Sequence, residues 1–130
     1  MNPIESPFLY FFDDDKFEET DRPGFRRRIV VGDHLEAWFW RIKGGAVGSF
    51  LHKHDTNEQL GFILRGSLDF RIGEEDDQTR RVIHANDMYL AAPGLWHGDS
   101  VFIGDDEYGE VWILDVFAPP RSITDAEVAP

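Results

Sequence analysis

What most constrains this chain is its punctuation. Short apolar stretches are broken again and again by Gly, Asn, Asp and Pro, as at Gly32-Asp33, Gly44-Gly45, Asn86-Asp87 and Pro93-Gly94. Nowhere do apolar residues recur every three to four positions over the length a helix needs. Strands are expected over 26–31, 35–43, 47–54, 58–64, 68–72, 81–84, 88–92, 101–103 and 110–117. The sequence around Gly66 reads as a tight reversal between two strands, and residues 73–80 read as a polar, acidic loop. Leu68-Asp69-Phe70-Arg71-Ile72 alternates apolar and charged residues, as a strand with one buried face does. Short strands at close spacing predict an all-β fold, a small sandwich or barrel. A chain of 130 residues suits one such domain with a core of its own.

Residues 1–24 differ from the rest and are read as an N-terminal arm, with the folded domain over 25–130. Phe8-Leu9-Tyr10-Phe11-Phe12 is a dense apolar run, followed by Asp13-Asp14-Asp15 and by Glu18-Glu19. Such a run is unfavourable to leave in water. It either closes one end of its own barrel or lies across a second subunit. The favoured expectation is a homodimer with the arm lying across the second subunit; whether the arm is swapped between subunits is left open. Arg26-Arg27-Arg28 at the start of the first long strand reads as strand-edge residues or ion-pair partners. A net charge of −12 excludes a general affinity for nucleic acid, whose phosphates demand a basic face, and for anionic membrane surfaces. No apolar run approaches the ~20 residues that span a bilayer. The N-terminal residues lack the basic-then-apolar order of a signal peptide. With no cysteine there is neither a disulfide framework nor a thiolate metal site. A cytoplasmic protein acting on a small molecule is the expectation.

Chemistry concentrates between Gly48 and Gly66. His52 and His54 are two apart, so on an extended segment their imidazoles point the same way. A His-x-His pair alone is also what polar surface looks like. Here the chain has only five histidines, Gln59 follows as a spaced acceptor, and His97 closes the distant segment Ala92-Pro93-Gly94-Leu95-Trp96-His97. Together these make a divalent-metal site the favoured reading. Three imidazoles and an amide are compatible with nickel, zinc, manganese or iron.

The segment resembles the first signature of the cupin superfamily: a glycine, a His-x-His pair, an acidic or amide ligand and a closing glycine. Residues 86–98 resemble the second signature. The resemblance implies a double-stranded β-helix, or jelly-roll, barrel with a metal at its mouth, held by His52, His54, Gln59 and His97. Glutamine stands where most cupins carry glutamate; the rival Glu58 points to the opposite face if Gln59 faces inward. Asn86 replaces the usual turn glycine, and Asn accepts positive φ better than most residues.

A second constellation lies near the C-terminus, in Leu114-Asp115-Val116-Phe117-Ala118-Pro119-Pro120-Arg121. If Leu114 and Val116 share one strand face, Asp115 and Phe117 share the other. An aspartate facing an apolar interior is unfavourable as a charge unless it is paired or performs chemistry. Arg121, past the double proline, either ties the tail to Asp115 by an ion pair or reaches over the pocket to hold a carboxylate. This ending resembles that of small cupins of pectin and alginate degradation, which convert 4,5-unsaturated uronates to linear keto forms. The resemblance implies Asp115 and Arg121 as catalytic residues, with Phe117 and Arg121 contacting substrate. The other functions in view are a metal-dependent dioxygenase and a non-catalytic binding module.

Overall fold

The computed structural model describes residues 6–124 and 127–128. Alternation sets its layers. In β3 (Glu36–Lys43), Trp38, Trp40 and Ile42 turn inward, while Phe39 and Arg41 turn outward. β3 is flanked by β2 (Phe25–Val31) and β10 (Glu110–Ala118), where Ile113, Asp115 and Phe117 are buried and Leu114 and Val116 less so. With β1 (Glu18–Glu19), β5 (Glu58–Arg65) and β8 (Met88–Ala91), these form a six-stranded antiparallel sheet ordered β1-β2-β3-β10-β5-β8. The opposing layer is β7 (Asp77–His84), β6 (Ser67–Glu74) and β9 (Trp96–Ile103) in that order. An isolated bridge between His52 and His97 extends it to a short pair, β4 (Lys53–His54) with β11 (Glu127–Val128). One helical turn, α1 (Arg121–Thr124), follows β10. This is the jelly roll expected. Phe25, Ile42, Ile63, Leu68, Phe70, Phe102, Val111 and Ile113 fill the space between the layers.

Three local expectations are corrected. Residues 73–80 are not a loop: β6 and β7 pair from Ser67↔His84 to Glu74↔Asp77, leaving only Glu75-Asp76 as the turn. Gly66 makes no hairpin, because β5 pairs with β10 and β8 whereas β6 pairs with β7 and β9. It is the corner, at φ +73°, where the chain crosses from one layer to the other. Within 47–54, regular strand is confined to Lys53–His54.

The arginine triplet is split by the pleat. Arg26 pairs with Asp14 and Glu110 at 3.1 and 3.3 Å, and Arg28 donates to the Phe11 carbonyl. Arg27 turns the other way, its guanidinium 4.6 Å from the Trp38 ring centre. The described part of the arm lies on the outer face of the large sheet. Phe12 stacks on Phe39 at 5.1 Å, Phe17 meets the same ring edge-on at 5.2 Å, and Arg41 joins Asp14 to Glu110. Phe8 remains 87% exposed.

Candidate metal centre

The segment 50–54 runs beside the start of β9, held by a reciprocal pair of backbone hydrogen bonds between His52 and His97. The approach is so close that a Cβ on Gly98 would strike the Phe50 carbonyl oxygen, so only glycine fits there. The same carbonyl accepts from His52 Nδ1 at 2.9 Å, and the Leu95 carbonyl accepts from His97 Nδ1 at 3.0 Å. With Nδ1 donating, each neutral ring has Nε2 as its basic nitrogen. A backbone acceptor behind a metal-binding imidazole is the usual way its orientation is fixed.

His52, His54 and His97 converge, with one ligand atom from each lying within 4.8 Å of the others. Gln59 and His97 are brought together across the barrel, with Gln59 Oε1 2.8 Å from His97 Nε2. Glu58 is exposed on the outer face. A cavity of about 120 Å³ opens beside these groups, lined also by Asp115, Phe117 and Arg121.

Two observations fit a cation here. His54 is 2% exposed, yet neither ring nitrogen has a hydrogen-bond partner among the described residues. Orphaned polar atoms at that depth are rare unless a ligand completes them. His97, whose one proton is used on Leu95, faces Gln59 Oε1 lone pair to lone pair, an arrangement a cation between them resolves. Burial, then the Arg121 charge, pushes His54 down to about 3; burial, then His52, pushes His97 down to about 4. Both rings are therefore neutral near pH 7, the form that binds metal.

Asp115 is 7% exposed, and burial raises its pKa to about 6 against the opposing effects of Tyr89, Gln59 and Arg121. Its Oδ1 accepts from the Tyr89 hydroxyl at 2.7 Å. Phe117 packs edge-on against His54 at 5.4 Å and against Trp38 at 5.6 Å. The Arg121 guanidinium lies over Trp38 and Phe117, at 4.5 and 5.2 Å from their ring centres. Its turn is anchored by Ser122 N–H donating to Glu36 and by Asn57 donating to the Pro119 carbonyl. Sequence reasoning passed over Tyr89 and Arg22, both of which line the cavity. The available signals were a tyrosine on an inward strand position and an arginine just before the first core strand.

The cupin domain family matches residues 38–107. This chain belongs to the cupins. It is 31% identical over 114 residues to the pectin degradation protein KdgF of Dickeya dadantii strain 3937, covering 87% of this chain and 94% of that protein. The structure of KdgF from Halomonas sp. aligns at a TM-score of 0.69 and 26% identity, covering 88% of this chain and 98% of that one. An RmlC-like cupin from Shewanella frigidimarina NCIMB 400 has the same TM-score of 0.69 at 21% identity, over 88% of this chain and 95% of that one, and shows the fold alone. No described helix is long and apolar enough to cross a membrane.

Proposed function

We propose that this cupin is a metal-dependent enzyme that opens and ketonises a 4,5-unsaturated uronate monosaccharide. The observation that carries it is a buried carboxyl, Asp115, with its pKa raised to about 6, in the same cavity as the histidine cluster and Arg121. The 31% identity to a pectin degradation protein supports a pectin-derived sugar as the substrate. His52, His54, Gln59 and His97 would hold one divalent ion. Bound there, the ion would act as a Lewis acid on a substrate oxygen, its charge uncompensated by four neutral ligands.

The residues divide the remaining work. Asp115 takes the proton of the anomeric hydroxyl as C1=O forms and the C1–O5 bond breaks. It then delivers that proton to C4 as C5=O forms, so one proton moves from O1 to C4 and nothing is added or lost. A group with a pKa near 6 both accepts and releases a proton near neutrality. Arg121, whose guanidinium lies 4.5 Å from the Trp38 ring centre at the wall of the cavity, holds the carboxylate. Phe117 walls the pocket and limits water. Arg22 also lines the cavity, so an anion there meets two guanidinium groups despite the net charge of −12. Arg121→Ala is expected to raise KM about 10- to 100-fold with a smaller effect on kcat, from the loss of charged hydrogen bonds.

The test is the loss of C4=C5 ultraviolet absorbance, followed in air and under nitrogen. Equal rates are expected for the isomerisation, whereas a rate that requires oxygen would replace it with the dioxygenase reading. We further propose a homodimer. Val116, Leu60 and Leu90 align across three strands of the outer sheet face, with Leu90 53% exposed. Light scattering is expected to give twice the 15.0 kDa chain mass; the single chain mass would contradict it.

A further inference from the structure

We infer that Tyr89, lying across Gly61, is a positioning residue that requires an amide at position 59 and turns the amide oxygen toward the histidines. The inference rests on the metal reading above and gives that site a mechanism of orientation.

Its basis is one cross-strand row. Asp115 of β10 is paired with Gly61 of β5, and Gly61 with Tyr89 of β8. Asp115 and Tyr89 thus sit two strands apart, roughly 10 Å at the usual interstrand spacing. Any side chain at 61 would stand between them. A Cβ built on Gly61 falls against Cε1 and Cζ of the Tyr89 ring, so the ring occupies the space glycine leaves. Lying across β5, the phenol reaches Asp115 Oδ1 at 2.7 Å.

Direction follows from counting protons. A hydroxyl has one hydrogen, and Tyr89 gives it to the carboxylate. Its oxygen is then only an acceptor toward Gln59, whose Nε2 donates to it at 2.9 Å. With the nitrogen committed to Tyr89, Oε1 has to be the end that faces His97, at 2.8 Å. A glutamate at 59 would set acceptor against acceptor at the Tyr89 oxygen. An amide alone serves both ends, a donor toward Tyr89 and an acceptor toward the cation site. The orientation of this amide is therefore dictated by its surroundings rather than left as one of two equivalent fits.

The test is zinc affinity, measured by competition with a chromophoric chelator. Tyr89→Phe keeps the ring over Gly61 and removes only the hydroxyl. It is expected to weaken zinc binding about 10- to 100-fold, the usual effect of losing a group that orients a ligand, while the metal-free chain, less stable for the loss of two buried hydrogen bonds, still unfolds cooperatively. Gln59→Ala is expected to weaken zinc binding as well, and the double variant to be no weaker than Gln59→Ala, because Tyr89 acts through Gln59. Zinc affinity of Tyr89→Phe within about twofold of wild type, or an equal loss in both backgrounds, overturns the inference. In the unaltered chain, the Gln59 side-chain NH₂ protons are expected to show nuclear Overhauser contacts to the Tyr89 ring; contacts to the His97 ring alone would contradict it whatever the variants do. A chain that binds zinc as described but leaves the uronate unchanged would remove the proposed reaction and leave this inference standing.

Discussion

Asp115→Asn is expected to lower kcat on an unsaturated uronate about 10²- to 10⁴-fold, the range lost with a general acid–base group, while leaving KM nearly unchanged. The same substitution is expected to stabilise the metal-free protein at pH 8 by about 2–3 kcal/mol. Burial raises the folded pKa of Asp115 from 3.8 to about 6. Between those values the folded chain holds more protons than the unfolded chain, so stability falls as pH rises from about 4 to about 6 and stays low above. A neutral amide removes that loss, and the gain vanishes below pH 4. Urea unfolding at the two pH values checks it. An activity loss coupled to a stability gain is the signature of a group kept for chemistry rather than for the fold. A purely structural Asp115, tied to Arg121, would give destabilisation instead.

His54→Ala has the second large effect. Both ring nitrogens of His54 lack partners within the described protein, so the side chain contributes little to the metal-free fold beyond filling volume. Zinc at about a thousand times its Kd is expected to stabilise the wild-type chain by about 4 kcal/mol. His54→Ala is expected to abolish that increment along with activity. The metal-free protein also gains an acid sensitivity from these rings. His54 and His97, held at about 3 and about 4, take up fewer protons than the unfolded chain below pH 6.5. Stability is therefore lost progressively as pH falls from about 6.5 toward 3, the reverse of the Asp115 effect. Metal should suppress this at mildly acid pH by competing with the protons. A thermal midpoint insensitive to zinc in the wild-type chain would contradict the metal centre.

The fold was legible where one strand face is buried. Leu68, Phe70 and the alternation in β10 announced their strands, and Asn86 adopts φ +79°, the positive φ its place in the motif implied. β7 was illegible for a physical reason. It is an edge strand exposed at most positions, so nothing in 77–80 alternates. Gly66 carries the same turn chemistry whether its strands pair with each other or part into two layers, and only tertiary pairing separates the cases. The residues singled out at the candidate site do converge on one cavity, because their spacing encodes shared faces on strands. Tyr89 escaped notice because Met88-Tyr89-Leu90-Ala91 reads as ordinary apolar strand. Its role appears only once Gly61 is seen beside it, and strand pairing across 28 residues is not written in local sequence.

The most direct measurement is an absorbance time course of a 4,5-unsaturated uronate monosaccharide with metal-loaded protein, with protein stripped by chelator, and with stripped protein given metal again. Accelerated loss of the C4=C5 band, abolished by stripping and restored by metal, is the expected result. A fully loaded protein that leaves the band at its spontaneous rate would contradict the account.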